Sequence, residues 1–431
     1  MIYFIVCAYG LFGIKGKYSI TKLLFALLLF TTFAAYLVGR TPQMEAMTQL
    51  YTIYSVLLLS ILFFSYKKYK DYKGWDFSDI SEKKLQKIEP ILIIIGIFSV
   101  LLYAYMLSKV FSLLLMEEIT VQEHKNEGGA TELFDTLLPH RFITLGNLVS
   151  PLGYFFLFLH FYYLIKRNVK KSLLFFVLSL NLILNGLIAL SRSSTVQFVL
   201  LYIFILFSLL PLLQKKTKKT IIRSSLIIMS LVFIALFVIS SSRFSNYYTK
   251  ESLNEAVIDE GSQPLLFSTL DYFGQWEENG PIVMDYFEFG EQSWGLYSCS
   301  GLANQLEKMI RGAQKVNEER DAKYTKLLKN KVSAFIGLPA AIVFDFGFFG
   351  GVIFMLLISC IIRKYEPRNS TLNSKALLTL IASLPVALVF WGGNVLVYMS
   401  LDLGIIYIIL LYMFLKHRPI KLDNSNKQIN R

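Results

Sequence analysis

Apolar runs recur along this chain at close to the length that crosses roughly 30 Å of hydrocarbon, and that recurrence excludes most soluble folds. The runs are Ile2 to Ile14, Ile20 to Val38, Thr48 to Tyr66, Ile91 to Leu114, Phe142 to Ile165, Ser172 to Leu190, Thr195 to Leu213, Ile221 to Ser242, Pro339 to Ile362, Ala376 to Val397 and Leu403 to Leu415. A 431-residue chain that is 55% hydrophobic and 15% aromatic carries more apolar surface than a soluble core takes in, so lipid is expected to be its solvent. The expected fold is an all-α polytopic integral membrane protein of about 11 transmembrane helices.

Charge in the links tests that count. Short loops rich in Lys and Arg stay on the cytoplasmic side. Every second link is basic: Lys15, Lys17 and Lys22 around the first, seven Lys in 67–89, four Lys or Arg in 166–171, five in 214–223, four in 363–375 and five from Lys416 onward. The links between them hold Arg40 alone, Lys125 and Arg141 among six acidic residues, Arg192 alone, and none in 398–402. The net charge of +13 is therefore read as a topology signal, with no nucleic-acid partner. It sets the N-terminus outside and the C-terminus cytoplasmic. The long segment from Arg243 to Asn330 is also basic, but long loops translocate largely regardless of charge.

This divides the chain into spans one to eight (1–242), a large outer loop with short amphipathic helices (243–338), three further spans (339–415) and a basic cytoplasmic tail (416–431). One amphipathic helix is expected after Ser300, with Leu302, Leu306, Met309 and Ile310 on one face. The first run has its charges after it, unlike a cleaved signal peptide, and is expected to remain a helix. Cys7, Cys299 and Cys360 form no disulfide framework, and His124, His140, His160 and His417 are scattered, so no metal and no cofactor is expected. Without a P-loop or GxGxxG, an ATP-driven pump is disfavoured.

Lone arginines on the non-basic side run against the orientation bias. Arg192 lies in the predicted turn Ser191-Arg192-Ser193-Ser194, Arg243 ends the eighth run, and Arg141 precedes the fifth. Guanidinium forks grip phosphate oxygens bidentately, which suits a diphosphate head at the membrane surface; plain snorkelling at a helix end is the competing explanation. Asp345 is the one carboxylate inside a predicted span, either a proton acceptor or half of a buried ion pair. Asp271, Tyr272, Trp276 and Glu277 place carboxylates beside aromatic rings in the large loop, a combination that suits sugars and equally suits interface anchoring. Asp271, Glu277 and Glu278 are all open as a general base.

The Ser-Arg-Ser turn at Arg192, the arginine closing a span at Arg243, Asp271-Tyr272-Phe273-Gly274 through Gly280, and Asp345-Phe346-Gly347 with Gly350-Gly351 together resemble the Wzy-type polymerases of bacterial O-antigen and capsule assembly. The resemblance implies a GT-C-like fold and an inverting transfer of a growing glycan from undecaprenyl diphosphate onto a lipid-linked repeat unit, at the outer face of the cytoplasmic membrane. Arg192, Arg243 and Arg141 would hold the diphosphate, Asp345 or Asp271 would act as base, and Tyr272, Trp276 and Glu277 would meet the sugar. Membrane lipids and a chain-length regulator are the implied partners. The alternative is a flippase for the same lipid-linked oligosaccharide, though no repeat relates the two halves. A ligase is a third option, but the loop from Arg243 to Asn330 lacks the histidine that ligases use.

Overall fold

The computed structural model describes residues 2–39, 46–115, 140–188, 192–224, 264–285, 335–392 and 399–417, with isolated positions at 227, 230 and 310. The apolar runs become helices. In chain order they are α1 (Ile2–Ala8, continued by a π-helical turn to Gly13), α2 (Ile20–Leu37), α3 (Ala46–Phe64), α4 (Glu82–Leu115), α5 (His140–Val149), α6 (Leu152–Ile165), α7 (Val169–Ser179), α8 (Asn181–Ile188) and α9 (Arg192–Leu209). Residues 215–224 form α10. Then follow α11 (Pro264–Gly274), α12 (Trp276–Asp285), α13 (Gly337–Lys364), α14 (Ser374–Leu388) and α15 (Met399–Leu415). Five stretches are long and apolar enough to cross a membrane: Ile20–Leu37, Glu82–Ser112, Val169–Ile188, Ser193–Leu212 and Gly337–Lys364. Five shorter apolar helices accompany them.

Breaks follow local chemistry. The run from Phe142 to Ile165, expected as one helix, is two, parted at Ser150-Pro151, because proline lacks the N–H and disfavours helical backbone in the residue before it. α7 begins where Asn168 accepts from the Lys171 N–H at 3.2 Å, a side-chain N-cap. α4 starts at Glu82, nine positions ahead of the expected apolar edge, and α14 ends at Leu388, well before Val397. α13 kinks at Gly347, whose φ of 68° with ψ 178° only glycine adopts freely. Most of the eighth predicted span, Arg243 and the helix expected after Ser300 lie outside the described residues.

α6 is the hub. Every residue from Gly153 to Ile165 is buried, as expected of a helix that is apolar all round. It packs along α7, α14 and α15, while α3 meets α13 and α11 lies on α2. Elsewhere the usual rule inverts: Ile94, Ile97, Leu101 and Tyr105 form an exposed apolar strip on α4, and Ile353, Leu357 and Ile361 do so on α13. Such a surface fits lipid rather than water.

The basic links gather at one end of the bundle, fastened by a short parallel pairing that the sequence did not announce. β1 (Gly74–Asp76) pairs in register with β2 (Thr371–Asn373). Asp79 accepts from Ser374 and, at 2.6 Å, from Tyr412, and the Ser81 N–H donates to the Leu415 carbonyl at 2.9 Å. Glu89, buried in α4, takes hydrogen bonds from Lys171 at 2.8 Å and Tyr163 at 3.0 Å. Each contact joins segments far apart in the chain.

Candidate functional site

Three helices start at the end of the bundle opposite the basic links, and a cavity of about 220 Å³ lies where they start. Ser150 immediately precedes the turn into α6, Ser193 and Ser194 are in the first turn of α9, and Ser400 is in the first turn of α15. Asn185 and Gly186 of α8, with Gln197, Tyr154 and Phe198, complete most of the wall. Helix N-termini carry unsatisfied N–H groups and partial positive charge, so convergent starts favour an anion or a strongly polar head.

The lining is neutral yet rich in hydrogen-bonding groups. Gln197 is 8% exposed, and its Nε2 has no hydrogen-bond partner among the described residues; nor does Ser194 Oγ. Asn185 Nδ2 reaches Ser150 Oγ at a long 3.5 Å. Buried donors left open inside an apolar bundle carry a desolvation cost that a polar guest would relieve. Asp402, also in the first turn of α15, is not part of the lining.

Arg192 opens α9, so it belongs to a helix and not, as expected, to a turn. The helix extends because Ser193, Ser194 and Thr195 fill its first turn, where open N–H groups need no i−4 partner. Arg141 is the second residue of α5. The side chains of both arginines, and the whole of Arg243, are outside the described part.

The aromatic–acidic stretch forms two consecutive helices, α11 and α12, separated only at Gln275 and packed into the bundle. In α11, Phe267 and Leu270 pack with Ala34 and Val38 near the end of α2. Gly274 allows this approach, since a Cβ there would fall 2.6 Å from the Ala35 Cα. Asp271 is buried and accepts from Gln275 Nε2. Glu277 in α12 is buried and accepts from Thr32 Oγ1 at 3.0 Å. Burial pushes its carboxyl up to about 7, with the Thr32 hydrogen bond pulling the other way. Asn279 Nδ2 donates to the Phe335 carbonyl at 3.0 Å, tying α12 to the entry of α13.

Two residues expected to face sugar are packed against protein. Trp276 is fully buried, with ring centroids 5.8 Å from Tyr3, 6.2 Å from Tyr51 and 5.4 Å from Phe390. Tyr272 is buried 4.9 Å from Phe335 and 5.4 Å from Phe273. Amphipathic rings that suit a sugar face suit a helix–helix contact equally well. Asp345 is fully buried in α13, two residues before the Gly347 kink. Among the described residues, no three His, Cys, Asp or Glu side chains are grouped to hold a metal ion.

Comparison with known proteins found no match. No family model, curated protein or solved structure matches this chain. Function therefore rests on the site itself.

Charge-led reasoning passed over Ser150, Asn185, Ser194, Gln197 and Ser400. The available signal was neutral: Asn185 and Gln197 are amides inside apolar runs, which are expensive in lipid unless they meet a partner or a cavity.

Proposed function

We propose that this chain is an oligosaccharide repeat-unit polymerase of the Wzy type, a GT-C-like enzyme of about 11 transmembrane helices in the bacterial cytoplasmic membrane. The observation that carries the reading is the convergence of three helix starts, with their serines and amides, on a cavity at the end away from the basic links. With those links cytoplasmic, the cavity opens toward the outer face, where undecaprenyl-diphosphate-linked repeat units are presented.

The chemistry needs fixed positive potential at the leaving group. The bond from the glycan anomeric carbon to the diphosphate oxygen breaks, the lipid diphosphate departs with the electron pair, and a bond forms to an acceptor hydroxyl oxygen. The hydroxyl proton passes to a carboxylate, for which Asp345 of α13 and Asp271 of α11 are the candidates, both buried and neither among the residues lining the cavity. N-terminal dipoles of α6, α9 and α15 would hold the oxyanion, joined by Arg192 and, in the same role, Arg243 and Arg141. Ser194 and Gln197 supply donors already stripped of water. The exposed apolar strips of α4 and α13 offer a path for the prenyl chain.

In this reading Trp276 and Tyr272 brace the helices that carry Asp271 and Glu277. A chain-length regulator is the partner that such an enzyme would have. The test is Arg192→Ala in the host. Polymer disappears while single repeat units still reach the surface; polymer of ordinary length in that variant overturns the assignment.

A further inference from the structure

A second concave surface lies at the basic end, far from the polar cavity. This cleft of about 560 Å³ is lined by Lys68, Lys70, Pro367, Arg368, Asn369 and Ser370. Its rim is built rather than frayed. The β1–β2 pairing holds the 368–373 segment, the Lys73 N–H donates to the Ser370 carbonyl at 2.9 Å, and the Thr371 N–H donates to the Arg368 carbonyl at 2.8 Å. Asn369 and Ser370 both take left-handed backbone, φ 51° and 57°, a strained pair for residues other than glycine.

The local charges do not cancel. Lys68 is paired with Glu366. Asp71 accepts from the backbone N–H groups of Lys17 and Tyr18, at 3.2 and 3.0 Å, and keeps its negative charge, but Lys15, Lys17, Lys67 and Lys73 outnumber it along the same two links. Lys70 Nζ donates to the Lys15 carbonyl at 2.6 Å, which orients the ammonium without neutralising it. Arg368 is exposed and has no carboxylate within ion-pair distance among the described residues. The negative end of α13 is offset by Arg363 and Lys364 in its own last turn. Two cations, Lys70 and Arg368, are left facing one cleft.

The surroundings select the kind of anion. The exposed apolar strip of α13 runs to Ile361, and Arg363 and Lys364 follow directly. On the other side, Tyr9 and Phe12 are strongly exposed just ahead of Lys15. The cleft thus stands where hydrocarbon-compatible surface gives way to cations, the level at which lipid phosphates lie. A soluble anion would have no use for that border.

We infer that this cleft binds the phosphate diester headgroup of an anionic phospholipid, with Lys70 and Arg368 on the phosphate oxygens and an acyl chain on the exposed strip of α13. Nothing in the cleft depends on the polymerase reading. The site lies in the leaflet on the basic side and serves as a specific lipid anchor, separate from bulk attraction to the membrane.

The test is native mass spectrometry of the full, delipidated chain in detergent, titrated with phosphatidylglycerol and with phosphatidylcholine. Phosphatidylglycerol binds preferentially, and Lys70→Gln and Arg368→Gln each weaken it about fivefold, roughly thirtyfold together. Equal binding of both lipids, or unchanged affinity in the double variant, overturns the inference. Inorganic phosphate at matching concentration neither binds nor displaces the lipid; displacement by it reassigns the cleft to a soluble anion and equally overturns the lipid site. Wild-type protein gives a check free of folding effects. Its phosphatidylglycerol affinity falls as salt rises, and an affinity indifferent to salt contradicts a site built on these two cations.

Discussion

Thr32 of α2 donates a 3.0 Å hydrogen bond to Glu277 of α12, joining the second helix to a segment 245 positions later. The bond places a carboxyl in a buried site where burial raises its pKa from 4.5 to about 7. A raised folded-state value means that the folded protein holds the proton more tightly than the unfolded chain. The stabilisation is full below about 4.5 and is lost as pH climbs through about 7. Thermal unfolding in detergent should therefore show a midpoint that falls across that window. Glu277→Gln flattens the dependence, and Thr32→Val, which removes the downward pull, extends it to higher pH. A wild-type midpoint flat from pH 4.5 to 7 would contradict the buried carboxyl.

Close approach of α11 to α2 rests on one missing methyl group. A Cβ at Gly274 would fall 2.6 Å from the Ala35 Cα and 2.7 Å from its N, backbone atoms that cannot rotate away. Gly274→Ala should destabilise by about 1–3 kcal/mol, as overpacking does. Gly74, with nothing within 4 Å of its Cβ position, is the matched control. Midpoints that shift equally in the two variants would mean that α11 does not pack on α2 as described.

Gln197 separates function from stability. Its Nε2 is buried without a partner among the described residues, so an apolar replacement of similar size removes a cost. Gln197→Leu should unfold at the same temperature as the wild type or higher, yet make little or no polymer. A stable variant with full polymer would detach the cavity from the reaction.

How far the sequence reached depends on which force shaped each part. Helix positions were legible wherever hydrocarbon-length apolar runs dominate, as in α2, α3 and α13. The break at Ser150-Pro151 was hidden because both halves are apolar, so periodicity gave no warning until the proline was weighed. The helices α11 and α12 read as part of a large outer loop with short amphipathic helices because Asp271, Glu277 and Asn279 interrupt the apolar pattern. Their partners, Gln275, Thr32 and the Phe335 carbonyl, are set by the fold, and two of the three are remote in sequence. Of the candidate site, Arg192 opens one of the three helices that start there, but the polar part of the cavity wall comes from serines and amides contributed by separate helices. Only their convergence gives them meaning.

The most direct measurement uses purified protein in liposomes supplied with undecaprenyl-diphosphate-linked repeat units, followed by separation of the lipid-linked products by size. New glycosidic linkages, seen as a ladder of longer lipid-linked glycans that Gln197→Leu and Arg192→Ala fail to make, are the predicted result. Units that cross the bilayer unchanged in length, with no ladder from the wild-type protein, would contradict the polymerase account and make this cavity part of a transporter.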